Sequence, residues 1–144
     1  MTIVNEINRP NFGINIDMGH AFIMKENLAE SIALCSRYGK LFHTHWNDNW
    51  KLFDDDVIVG TVNLWETVEA MFWLDELGYD GWYGLNLFPY REAPEDAVDQ
   101  SIKNLKFARE LINRVPREEI RECFVTNDAI KIAELQRRML GGAS

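Results

Sequence analysis

With 144 residues, 47% of them hydrophobic and 26% charged, the chain is long enough for one ordinary domain with a real core and too apolar to be disordered. Its formal net charge of −8, from 23 acidic against 15 basic residues, argues against a nucleic-acid partner, because phosphate contacts require a basic face that replaces condensed counterions. No apolar run approaches the roughly 20 residues of a membrane helix, and the opening MTIVNEINRP lacks the basic-then-apolar order of a signal peptide, so a cytoplasmic protein with no membrane partner is expected.

The first predicted strand is NFGINID, residues 11–17, where Phe12, Ile14 and Ile16 alternate with Asn15 and Asp17. After a turn around Gly19, residues 26–38 read as a helix with Leu28, Ile32 and Cys35 on one stripe and Gly39 as its stop. KLFHTHW, residues 40–46, is a second strand that points His43 and His45 to the same face, because side chains two apart share a face. A polar, acidic loop follows through Asp56. Asn63 with Glu66 forms a capping pair for a helix running to about Leu77, with Leu64, Val68, Met71 and Asp75 at helical spacing. WYGLNLF, residues 82–88, is the third strand. Pro94 opens the next helix, whose Val98, Ile102, Leu105 and Ile112 form a stripe before Pro116 closes it. Residues 116–123 read as a joint, residues 127–140 as a last helix, and GGAS as a frayed end.

Strand and helix alternating over short connections signal βαβ units and a parallel sheet. A closed barrel of such units has eight strands, and only about three are visible here. Cys35 and Cys123 lie far apart with no CxxC spacing, which points to buried apolar residues rather than a disulfide framework or a thiolate zinc site.

In parallel barrels the chemistry sits at the carboxyl ends of the strands. Here those ends carry Asp17 and His20, then His43, His45 and Asn47, then Asn86, and they include all three histidines of the chain. Carboxylate and imidazole together suit a divalent cation such as Mn²⁺, Mg²⁺ or Co²⁺ better than a closed structural zinc site. The plainer alternative makes His43 and His45 satisfied core residues and His20 a surface turn. Read alone, the run Asp54-Asp55-Asp56 is a solvated loop.

The stretch LFHTHWNDNWKLFDDDVIVG, followed by AMFWLDELGYDG and YGLNLFPYR, resembles the carboxyl-terminal part of xylose isomerases and rhamnose-isomerase-like barrels over about residues 11–115. The resemblance implies an α/β fold: a partial (β/α)8 TIM-type barrel of about three βα units with parallel strands over residues 1–116, and a C-terminal helical tail over residues 117–144. It implies that Asp17 and His20, spaced as DxGH, supply a bridging ligand and a second-metal ligand. His45 matches the ligand of the next strand, Asp54 and Asp56 match the pair holding the second metal, and Asn86 falls where the last strand's acidic ligand stands. An amide oxygen there brings no negative charge, which weakens the hold on the first metal. The metal implied is Mn²⁺ first, with Mg²⁺ or Co²⁺ as alternatives.

The chemistry implied is aldose–ketose interconversion, with catalytic work falling to His20, His43 and Asp54, and a sugar as the small-molecule substrate. Trp46, Trp50 and Phe88 are candidate apolar faces for that sugar. A homo-oligomer, or a separate chain supplying the missing strands, is expected to complete the barrel. Two alternatives accompany this reading: a non-catalytic fragment or accessory subunit that keeps the fold, and a sugar epimerase built on the same barrel.

Overall fold

Three short segments of alternating polarity build a parallel sheet in the order β1-β2-β3: β1 (Ile14–Asp17), β2 (Leu41–Trp46) and β3 (Tyr83–Leu85). In this computed structural model, which describes residues 1–89 and 91–142, the helices are α1 (Thr2–Ile7), α2 (Met18–Ile23), α3 (Leu28–Arg37), α4 (Leu64–Glu76), α5 (Pro94–Asn113), α6 (Arg117–Thr126) and α7 (Ala129–Met139). Tyr90 of the FPYR run and the last two residues of GGAS lie outside the described residues. No helix among the described residues is long and apolar enough to cross a membrane.

Register follows from the pleat. Asp17 pairs with His45 and His45 with Gly84, so one face of the sheet carries Asn15, Asp17, His43, His45 and Gly84 in adjacent rows. The opposite face carries Ile16, Thr44 and Trp46, all buried against the helices. Trp46 donates through Nε1 to Thr44 Oγ1 at 2.9 Å and stacks on Tyr83 with ring centroids 4.9 Å apart. It is therefore a core residue, and its indole is not available as an apolar face for a ligand. The core continues through Ile32 and Cys35 of α3, Phe72 and Leu74 of α4, and Leu111 and Ile112 of α5 into Ile120, Cys123, Leu135 and Met139 of the last two helices. Both cysteines are free and buried, as their spacing implies.

Four local expectations change. The turn around Gly19 is a helix, α2, started directly at the strand end by Asp17, whose carboxylate accepts the His20 amide three residues on. The segment after Pro116 is helical rather than a joint. Asp75 and Glu76 at the end of α4 hold it through Arg117 and Arg121. Asn63 does stand at the amino end of α4, but its side chain makes no cap there and donates instead to Asp48 Oδ1 and Asn49 O. On α5 the buried stripe is Ala97, Ser101, Ala108, Leu111 and Ile112, leaving Val98 and Ile102 exposed. The small side chains win because this helix lies close against the segment before α4, where Ser101 Oγ accepts the Val59 amide at 3.4 Å and Asn104 donates to Val59 O at 2.7 Å.

Candidate active site

Asp17 is the hub. It closes β1, so its carboxylate reaches over the strand ends to groups that follow β2 and β3. Oδ2 lies 3.3 Å from His45 Nδ1 and accepts from Asn86 Nδ2 at 3.2 Å. Oδ1 accepts from Asn47 Nδ2 at 3.1 Å and from the His20 amide at 3.3 Å. Asn86 follows β3 directly and is fixed by its own amide, which donates to Trp46 O at 3.1 Å and extends the ladder by one residue. Three successive strand ends thus meet at one carboxylate.

His43 lies on the same face, half-buried, with its ring edge-on to His45 at 5.2 Å between centroids. Gly84 makes room for it, since a Cβ there would stand 2.7 Å from His43 Nε2. The acidic loop folds back over the strand ends through an antiparallel bridge in which the Asp48 and Val57 amides and carbonyls pair at 3.1 and 2.9 Å. That fold brings Asp54 Oδ2 to 3.1 Å from His20 Nε2 and Asp56 Oδ1 to 2.9 Å from Asn47 Nδ2. Burial pushes the Asp56 carboxyl up, and the negative charges of Asp54 and Asp17 push the same way.

Beneath the site lies a polar network that the sequence reading did not single out. Asp48 is fully buried and accepts four hydrogen bonds, from the amides of Asn49, Val62 and Asn63 and from Asn63 Nδ2. Asn49 Nδ2 donates to Gly19 O at 2.9 Å, tying the loop to α2. The signal was present as the polar run Asn47-Asp48-Asn49 directly after a strand, where buried polar side chains must find partners.

Among the described residues no three of His, Cys, Asp and Glu are gathered as a ready cage for an ion. Two features nevertheless fit a divalent cation: the donors are carboxylate oxygens and imidazole nitrogens, and Asp54 Oδ1 is buried with no hydrogen-bond partner. Two clefts reach the cluster. One, of about 630 Å³, runs along the open edge of β1 past Asn15, Asp17 and His20. The other, of about 200 Å³, lies between Trp50, Asp56 and Phe88, so two of the three aromatic residues singled out border a cavity beside the acidic loop.

The fold and the site define a parallel α/β protein of the barrel class, with its polar groups gathered at the carboxyl ends of the strands. The chain belongs to the xylose isomerase-like TIM barrel family, whose model matches residues 1–127. A solved structure described as a D-tagatose 3-epimerase-like protein is similar at 31% identity and a TM-score of 0.60, over 77% of this chain and 39% of that one. The uncharacterized protein MJ1311 of Methanocaldococcus jannaschii is 34% identical over 82 residues, 56% of this chain and 27% of the relative. The chain therefore spans well under half the length of either relative.

Proposed function

We propose that the strand-end cluster is one wall of a metal-dependent sugar-isomerase site that interconverts an aldose and a ketose. The observation that carries this reading is the meeting of His45 and Asn86, from two strand ends, on the Asp17 carboxylate of a third. Asp17 and His45 would hold a divalent cation, Mn²⁺ first and Mg²⁺ or Co²⁺ otherwise, with the Asn86 amide turned to offer its oxygen. His20, Asp54 and Asp56 would hold a second. Bound there, the metal supplies Lewis-acid polarisation of a sugar carbonyl.

The chain's own groups do the rest. His45 Nδ1 and Asp17 Oδ2 stand 3.3 Å apart, close enough to share one cation between them. While no second cation sits between them, His20 and Asp54, 3.1 Å apart, form a pair able to hold a proton taken from the carbon beside the carbonyl. His43 offers a ring nitrogen to a sugar hydroxyl, and Trp50 and Phe88 offer apolar faces beside Asp56. Epimerisation is the second reading, favoured by the likeness to the D-tagatose 3-epimerase-like structure. Both reactions remove a hydrogen next to a carbonyl and differ in where it is returned, so the same groups serve.

Three strands of a barrel that needs eight leave β1 and β3 with open edges, so a second copy of the chain or a chain supplying further strands would complete the site. Self-association in size-exclusion chromatography is expected, and elution as a compact monomer would count against it. The functional test is conversion of aldoses to ketoses by the chain with added Mn²⁺. Turnover that His45→Ala abolishes supports the reading. No turnover at any Mn²⁺ concentration would instead mark the chain as a fragment that keeps only the fold.

A further inference from the structure

Asn47 has no role in the chemistry above, yet it touches both acidic arms of the site. It stands one residue past β2 and is 1% exposed. Its Nδ2 donates at 3.1 Å to Asp17 Oδ1 and at 2.9 Å to Asp56 Oδ1, so one amide spans carboxylates from a strand end and from the loop folded over it. Its Oδ1 is buried with no hydrogen-bond partner and abuts Gly19, where an added Cβ would lie 2.3 Å away. Turning the amide over would aim its oxygen at two carboxylates, so their charge fixes its orientation.

Asp56 needs such a tie. Its φ of 47° lies in the left-handed region, which residues with a Cβ seldom adopt and aspartate adopts more readily than most. Phe88 donates to Asp56 O at 3.0 Å and secures the backbone, and Asn47 secures the carboxylate. Repulsion from Asp17 and Asp54 would otherwise drive that carboxylate outward.

We infer that Asn47 is a positioning residue whose NH₂ group sets the spacing of the Asp17 and Asp56 carboxylates, and that Gly19 is small so that this amide can seat. The inference rests on the reading of those two carboxylates as cation ligands. A leucine at this position has nearly the same size, no charge and no hydrogen to donate, so Asn47→Leu separates donation from packing. Gly19→Ala tests the same contact from the other side, because alanine suits a helix and the nearest side-chain atoms to its Cβ belong to the amides of Asn47 and Asn49.

The experiment pairs crystal structures of wild type, Asn47→Ala, Asn47→Leu and Gly19→Ala, grown without added metal, with calorimetric titration of each by Mn²⁺. Wild type is expected to keep both contacts. The Asn47 variants should release the Asp56 carboxylate and bind Mn²⁺ roughly 10–100-fold more weakly, with a smaller loss in Gly19→Ala. Asp17 and Asp56 unmoved in Asn47→Leu, with unchanged affinity, would overturn the inference. If wild type itself takes up no Mn²⁺, the cation reading falls, and carboxylate placement in the Asn47 variants alone decides this inference. Should Asn47→Ala melt below working temperature, the similarly sized Asn47→Leu and the Gly19→Ala variant carry the test.

Discussion

Acidic residues gather in two places, at the strand ends and at the carboxyl end of α4, and the two places treat negative charge differently. At the end of α4, Asp75 meets Arg109 and Arg117, and Glu76 meets Arg117 and Arg121, so both carboxylates are matched by guanidinium groups. At the strand ends Asp17, Asp54 and Asp56 meet imidazoles and amides, and among the described residues no Lys or Arg pairs with them. Matched charge at α4 fastens α6 to the barrel layer. Unmatched charge at the strand ends is the arrangement that the cation proposed above would complete.

Removing the support beneath the site should have the largest effect. Asp48→Ala removes the acceptor of four donors, three of them buried, and a loss of about 3–5 kcal/mol in urea unfolding is expected; a loss under about 1 kcal/mol would show that water replaces the carboxylate. Next comes His45→Ala, for which Mn²⁺ affinity measured by calorimetry should fall roughly 100-fold with little change in melting temperature, because the ring is partly exposed. Asn86→Asp works in the opposite direction. Adding a carboxylate beside Asp17 should tighten Mn²⁺ binding about tenfold while lowering stability without metal, and equal affinity for both forms would remove Asn86 from the ligand set.

The smallest effect belongs to the matched region. Hydrogen bonds from Arg121 and Arg117 hold the Glu76 carboxyl below its ordinary value of 4.5. A lowered carboxyl pKa adds stability that is fully present above that value and is lost as pH falls through the folded one. Glu76→Gln should therefore lower the melting temperature slightly near neutral pH and flatten the acid limb of a stability–pH curve. An acid limb as steep as that of wild type would contradict the pairing.

The sequence made the sheet, and helices α3, α4, α5 and α7, legible because each carries a period of two or of about three and a half between turn residues. What escaped it was short or deceptive. Helix α1 buries only Val4, and α2 begins on the last residue of a strand, so neither shows a period. Helix α6 buries Ile120 and Cys123 alone and is docked by arginines, which pattern reading takes for a solvated joint. On α5 the larger Val98 and Ile102 suggested the wrong stripe, since close approach to the segment before α4 favours Ala97, Ser101 and Ala108. The acidic and imidazole groups were legible as strand-end residues. The roles of Asn47 and Asn63 and the buried Asp48 were not, because a buried polar side chain in a loop carries no periodic signal and declares itself only through the partners it meets.

Whether the unmatched charge at the strand ends is a cation site is most directly tested by electron spin-echo spectroscopy of Mn²⁺ added to protein carrying ¹⁵N-labelled histidine. An imidazole nitrogen coupled to the ion, diminished in His45→Ala and lost when His20 is replaced as well, is the expected result. A spectrum of the free hydrated ion alone, at protein and Mn²⁺ concentrations that should saturate the site, would contradict the account.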